Sequence, residues 1–407
     1  MSPQRQAVWL LGVCQCVCWG VLYYGFSVLL VPMERDLGLS RTGVAGAFSL
    51  GLLAMALAAP LVGKAFDRGH GPITTQASAL LAAAGLVLAS RAHGAASLYA
   101  AWLVLGVAMA ALLYEAAFAL VIRAVADPFE RLRALAAITV VGGLASTVFL
   151  PLLAAVTERC GWRFAELAGA AAILIAAWIM QRRVLPVLSD RSAPVARPAP
   201  ARTPATAHYF SLLAVFTSST VAAMGLTTLL IPLLLSRGAS PTGAASVLAM
   251  LGVTQLPGRI WILRGGRQPA TQTLASLPLV LQGAGLGGVA LAPTALIAAF
   301  GVAVFGLGAG LHTLARPWLV QRIYGVRHAG YWNGRIALVQ GFGRAIGPLA
   351  VVALAAWAGT GAVLAGLGLS LLGLVPLAHR MSHAVPAAAP DDAPQAPQAS
   401  PAGATER

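Results

Sequence analysis

Of 407 residues, 58% are hydrophobic and only 10% charged, and the mean hydropathy is +0.80. Soluble domains carry about a quarter charged residues, so this chain could not cover a water-exposed globule and reads as an integral membrane protein. A net charge of +15 does not make it a nucleic-acid binder, because the basic residues sit in loops between apolar runs and no basic domain lies outside them.

The apolar runs are mostly about 20 residues long, the length at which a helix crosses a hydrocarbon core of roughly 30 Å. The alternating segments of about 10 residues that build a membrane barrel are absent. Twelve helices are expected: 7–32, 43–63, 72–90, 96–122, 134–156 and 164–181, then 209–235, 243–263, 271–291, 294–320, 333–357 and 359–378. Residues 1–6 are too short for a signal-peptide n-region and no cleavage motif follows, so the first run is expected to stay as helix 1. Between the two sets of six lies a polar stretch rich in Pro, Ala and Arg, and the Ala/Pro-rich tail from Met381 is expected to be disordered. The expected organisation is a six-helix bundle at 1–181, a connector at 182–208, a second six-helix bundle at 209–380 and a tail at 381–407.

Four cysteines occur, three of them in helix 1 at Cys14, Cys16 and Cys18, the fourth at Cys160. Cys14 and Cys18 share a helical face, and small packing residues are the reading preferred over a metal site. No metal and no cofactor are expected.

Twelve crossings place both termini on one side. Nineteen basic residues fall on that side, among them Arg5, Lys64, Arg68, Arg123, Arg131, Arg133, Arg264 and Arg380; six, namely Arg35, Arg41, Arg91, Arg159, Arg163 and Arg237, fall on the other. Basic loops face the cytoplasm, so both termini are expected inside. The halves also repeat. Pro32, Gly38, Ser40, Thr42, Gly43 and Ala45 recur as Pro232, Gly238, Ser240, Thr242, Gly243 and Ala245 at a shift of 200, and a shift of 197 pairs Pro60 with Pro257 and Pro151 with Pro348. Parallel six-helix repeats of this kind bind a solute near the midplane and alternate access by rocking.

The turn between helices 2 and 3 makes the comparison specific. Gly63-Lys64-Ala65-Phe66-Asp67-Arg68-Gly69-His70-Gly71 resembles the helix 2–3 loop motif of the major facilitator superfamily (MFS), and the Gly161-Trp162-Arg163 turn, Asn333-Gly334 and Gly347-Pro348 fit the same family. The resemblance covers residues 7–380. It implies an all-α membrane protein of 12 transmembrane helices in two pseudo-symmetric six-helix bundles, the MFS fold, of the bacterial type and in the inner membrane. It also implies that Gly63, Asp67, Arg68 and Gly69 form a conformational latch. There are departures: His70 stands at the second glycine of the motif, the closing basic pair is absent, and Arg264 occupies the position near Asp67 in the second half. The helix 5 pattern of many antiporters is not cleanly present.

Charged groups inside spans are costly and mark pathways. Glu115 is the acidic residue expected deep in a span, and the 197 shift pairs it with His312. Arg316 lies one turn beyond His312 on the same face, ahead of Pro317. Gln255 precedes Arg259 by one turn in helix 8, and Gln340 precedes Arg344 by one turn in helix 11. Arg335 lies near Asn333 at the start of helix 11; it and Arg259 are either cavity groups or snorkelling anchors. Tyr23, with Trp19 and Tyr24, either lines the cavity or joins an interfacial aromatic belt. These groups imply a monomeric secondary transporter among membrane lipid, moving a small organic solute such as a carboxylate anion, with protons as the coupling ion. A multidrug or metabolite exporter with an apolar cavity is the alternative, and a non-transporting receptor or assembly protein on the same scaffold is the reading from another class. Motifs for enzymatic chemistry are absent.

Overall fold

The computed structural model describes residues 2–189, 206–265 and 269–383. The described residues form helices joined by short turns, with no strand among them. Twelve segments are long and apolar enough to cross a membrane: α1 (Pro3–Leu37), α2 (Thr42–Asp67), α3 (Gly71–Ser90), α4 (Ala95–Ala124), α5 (Pro128–Cys160), α6 (Trp162–Leu188), α7 (His208–Ser236), α8 (Ser246–Arg264), α9 (Thr271–Leu291), α10 (Ala295–Tyr324), α11 (Ala329–Ala358) and α12 (Thr360–Ser382). Helix continues past the expected end of the sixth span to Ser189 and resumes at Thr206, so both ends of the expected connector are helical. The remainder of the connector, 190–205, and the tail from 384 lie outside the described residues.

The internal repeat is visible in the local chemistry of its turns. Gly38 and Gly238 end α1 and α7 with φ of 63° and 80°, a left-handed conformation that glycine adopts without steric cost. Two residues on, the hydroxyls of Ser40 and Ser240 accept from the amides of Gly43 and Gly243, each at 3.1 Å, and so cap the helices that begin at Arg41 and Pro241 and run into α2 and α8. Gly161 and Gly359, with φ of 83° and 86°, make the matching turns into α6 and α12. The loops opposite the chain ends are then fastened by arginines. Arg163 pairs with Asp36 and donates to the Ala92 carbonyl in the first half, and Arg237 donates to the carbonyls of Val289, Ala290 and Ala292 in the second.

Four interruptions fall in the described first half, one of them a π-turn at Met180–Val184 in α6. A π-turn at Gly20–Tyr24 breaks the regular winding of α1; extra backbone residues of this kind recur near functional sites. Leu113 takes an extended conformation (φ −86°, ψ −172°) and splits α4 into Ala95–Leu112 and Tyr114–Ala124. The Gly142–Leu144 turn divides α5. The second half is interrupted at Leu374 in α12 and at Gln255 in α8, just before Pro257, while the repeat partner of Pro257, Pro60, sits within an unbroken α2. α1 packs on α6 through the thiol of Cys14, which donates to the Ala176 carbonyl at 3.6 Å; Cys14 and Cys18 are both buried.

The two halves meet on the face that carries the chain ends. There α2 and α11 pack backbone to backbone: a Cβ on Gly63 would run into the Gly330 carbonyl, one on Gly334 into the Ala59 carbonyl, and one on Gly341 into Ala56. Close approach through small residues is how membrane helices gain contact where lipid is as apolar as leucine. Three polar contacts reinforce this closure. Arg131 donates to Gln321 at 3.0 Å, Arg133 to the Leu263 carbonyl at 3.1 Å, and Arg259 to the Thr139 carbonyl at 2.8 Å.

Candidate functional site

A cavity of about 330 Å³ lies between the halves above this closed face, within the size range of small-molecule sites. The break at Leu113 prepares its first-half wall. Tyr114 and Glu115 become the first residues of a new helical segment, whose leading amides have no carbonyl one turn earlier in that segment. A carboxylate is stabilised at such a terminus by the helix dipole. Glu115 faces the cavity, with Trp19, Tyr24, Met55, Tyr114 and Phe118 forming much of the surrounding first-half wall.

Second-half groups reach across to it. His312, Thr313 and Arg316 line the cavity from α10, and Gln340 and Arg344 from α11. Pro317 has no amide hydrogen, so the Thr313 carbonyl lacks its backbone donor at the cavity wall. The guanidinium of Arg316 donates through Nη2 to Glu115 Oε1 and through Nη1 to Gln340 Oε1. Gln340 is held in turn, its Nε2 donating to the Phe216 carbonyl at 2.9 Å and to Thr220 Oγ1 at 2.8 Å. Glu115, Arg316, Gln340 and Thr220 thus form one chain across the halves, and half-shielded from water each charged link is stronger than on a surface.

Two other arginines face the same space. Arg259 is buried and has neutral partners: Nη1 bonds the Thr139 carbonyl, Nη2 bonds Gln255 Oε1 at 2.9 Å, and Nε has no partner among the described residues. Arg344 lines the cavity within electrostatic reach of Tyr23, Arg316 and Glu115. Its guanidinium makes no hydrogen bond or ion pair with the described residues. His312 packs its ring on Phe216 with centroids 4.6 Å apart, and its Nε2 is buried without a partner among the described residues.

The remaining sequence candidates fall elsewhere. Tyr23 packs among Trp19, Tyr24 and Phe48 without joining the cavity lining; Tyr24 lines it instead. Arg335 is exposed at the start of α11, where its guanidinium lies over the Tyr209, Trp332 and Tyr331 rings at 5.1, 5.6 and 5.8 Å. Asn333 bonds the Ala329 carbonyl within its own helix at 2.8 Å. Gln282, fully buried, and Ser219, both lining the cavity, were not singled out from the sequence. Their signal is an uncharged amide or hydroxyl amid apolar neighbours, weaker than a charge. Glu166 is a buried acid, where Glu115 is half-buried, and it is placed in the second turn of α6 by a helix that begins at Trp162, two residues before the expected start.

The loop at the end of α2 crosses to the other half. Asp67 Oδ1 accepts from the Gly330 amide at 2.9 Å and Oδ2 from the Tyr331 amide at 2.7 Å, so a first-half carboxylate caps the N-terminus of second-half α11. Arg123 of α4 donates to the Asp67 carbonyl at 2.8 Å. Gly69, with φ of 85°, then turns the chain into α3. Arg68 points into solvent and has no side-chain partner among the described residues. The corresponding Arg264 is exposed.

Solved structures share this architecture. The human organic anion transporter MFSD10 (TETRAN) superposes with a TM-score of 0.73 at 16% identity, over 92% of this chain and 99% of that one. The MFS proton:xylose symporter XylE, bound to 6-bromo-6-deoxy-D-glucose, gives 0.71 at 10% identity over 94% and 95%. A variant of the Escherichia coli fucose:proton symporter FucP gives 0.65 at 13% over 93% and 99%. No curated protein sequence matches the chain. The sequence profile of the Major Facilitator Superfamily matches residues 8–348. With twelve apolar crossings and this fold, the chain belongs to the Major Facilitator Superfamily of multi-pass membrane transporters.

Proposed function

We propose that this is a proton-coupled secondary transporter of a small organic anion, a carboxylate, working as a monomer in the bacterial inner membrane with both termini in the cytoplasm. The observation that carries the reading is a charge imbalance. Arg259, Arg316 and Arg344 line the cavity against the single carboxylate of Glu115, and Arg344 has no protein partner among the described residues. A guanidinium held away from water calls for an anion, and its planar fork matches a carboxylate in two parallel hydrogen bonds. MFSD10 is itself described as an organic anion transporter, and XylE and FucP as proton symporters.

The coupling follows from the Glu115–Arg316 pair. Protonating Glu115 removes the charge that holds Arg316, and the freed guanidinium joins Arg344 in binding the incoming carboxylate. Releasing the anion returns Arg316 to Glu115 and expels the proton. One proton accompanies one negative charge, so the loaded and empty cavities carry the same net charge and both can pass through the closed intermediate. Asp67 works at the other level. Its bonds to α11 favour closure of the cytoplasmic face, and breaking them as the halves rock opens that face.

Uptake into liposomes under an imposed pH gradient, screened over a panel of organic acids, tests the reading. Arg344→Ala is expected to lower anion uptake about 100-fold, the scale of a lost charge-assisted pair of roughly 3 kcal/mol, with Arg344→Lys recovering part of it. Cation export by the native protein, indifferent to Arg344→Ala, would overturn the proposal in favour of the exporter.

A further inference from the structure

Besides the arginines, the cavity lining includes Ser219, Gln282 and His312. Ser219 of α7 donates to Gln282 Oε1 of α9 at 2.6 Å. That bond fixes the amide of Gln282, yet Nε2 is left with no partner among the described residues, although the residue is fully buried and lines the cavity. His312 of α10 lines the same cavity, and its Nε2 is likewise buried and unpartnered among the described residues. His312 lies one helical turn from Arg316, a rise of about 6 Å along the axis. Buried donors and acceptors left open cost stability unless water or a ligand satisfies them, and these two face a cavity that can hold a ligand.

Resting on the anion reading, we propose that Ser219, Gln282 and His312 form a hydroxyl-recognition subsite, and that the transported carboxylates are hydroxy acids. The Gln282 amide donates to the substrate hydroxyl oxygen, and a hydroxyl both gives and takes a hydrogen bond, so it can satisfy Gln282 and the open imidazole nitrogen together. An alkyl carboxylate of the same length leaves both unsatisfied. A site built for a hydroxyl discriminates strongly against an analogue that lacks it, whereas an apolar wall separates the two weakly. The separation of about one turn between His312 and Arg316 favours a hydroxyl removed from the carboxylate by several bonds over one on the adjacent carbon.

Butyrate and its three hydroxy derivatives, with the hydroxyl at each carbon in turn, are the probes. Binding is read by ligand-induced thermal shift on the purified protein and uptake in liposomes. The native protein is expected to prefer at least one hydroxybutyrate over butyrate by roughly 10- to 100-fold. Gln282→Met, close in volume, is expected to remove that preference by weakening hydroxybutyrate binding far more than butyrate binding; Ser219→Ala does the same more mildly by freeing the Gln282 amide. Equal affinities for butyrate and all three hydroxy acids in the native protein overturn the subsite and leave the anion reading standing. Loss of butyrate and hydroxybutyrate binding in equal measure in both variants gives Gln282 a packing role and also overturns it. If the native protein binds none of the four, while Arg344→Ala leaves its activity on other solutes unchanged, the anion reading fails and the subsite fails with it.

Discussion

The two six-helix halves share their turns and divide their chemistry. Ser40 and Ser240 cap their helices through identical bonds, and Gly38 and Gly238 end theirs in the same left-handed conformation. Where the halves touch across the cavity and its closed face, the repeat departs from itself. Asp67 bonds across the interface, whereas its counterpart region presents exposed Arg264; Glu115 stands where the second half has His312. The turns are constrained by backbone geometry, which both copies must satisfy alike. The cavity and the Asp67 contact are constrained by what each half must offer the other, so complementarity replaces identity. The first half supplies the Glu115 and Asp67 carboxylates, and the second supplies the guanidinium of Arg316 and the helix terminus that receive them.

The largest test of this division is Glu115→Gln. Glutamine keeps an acceptor for Arg316 but cannot exchange a proton, so accumulation driven by a pH gradient is expected to vanish and the internal-to-external ratio to fall to about one. Exchange of labelled for unlabelled anion at equal pH is expected to persist, because the binding groups of the second half are untouched. Loss of both together would show that Glu115 belongs to the substrate site and that the halves do not divide the labour.

The parts of the molecule governed by hydrophobicity and turn chemistry could be read before the fold was known. Apolar runs located all twelve crossings, and the constant shift located the repeat, because the glycines and the capping serines have few substitutes. Asp67 was marked by the loop motif, but its partners were not. They are the backbone amides of Gly330 and Tyr331, which have no side-chain signature. The break in α4 was invisible for a related reason. Leu112, Leu113 and Tyr114 contain neither proline nor glycine, and the extended residue is set by tertiary packing, with the Leu112 carbonyl taken by Gln15 Nε2 at 2.7 Å. In α5, by contrast, the interruption falls on the visible pair Gly142-Gly143. Ser219 and Gln282 escaped because a neutral polar group in a span is far less costly than a charge and looks like packing until a cavity is seen beside it.

A smaller effect is expected from Asp67→Asn. The amide retains one acceptor and turns a donor toward a second backbone donor, so one charge-assisted bond is lost and the other weakened, a change of about 1.5–3 kcal/mol against closure of the terminal face. Labelling of single cysteines from each side is expected to shift toward the population open on the face of the chain ends by roughly 10- to 100-fold. Substrate affinity measured in detergent should change far less. An unchanged distribution would mean that the glycine-lined contact of α2 with α11 holds the face shut by packing alone.

Arg68→Ala separates the latch carboxylate from the arginine beside it. The loop motif implies that both act, but in this closed state Asp67 is engaged with α11 and supported by Arg123, while the Arg68 side chain is exposed and makes no bond to the described residues. Removing an exposed, unpaired charge typically costs within about 0.5 kcal/mol, so both the labelling distribution and the uptake rate are expected to stay within about twofold of native. Arg123→Ala, which frees the Asp67 carbonyl, is expected to move the distribution further than Arg68→Ala does. The reverse order would mean that Arg68 finds its partner in the state open on the face of the chain ends, after the halves have rocked.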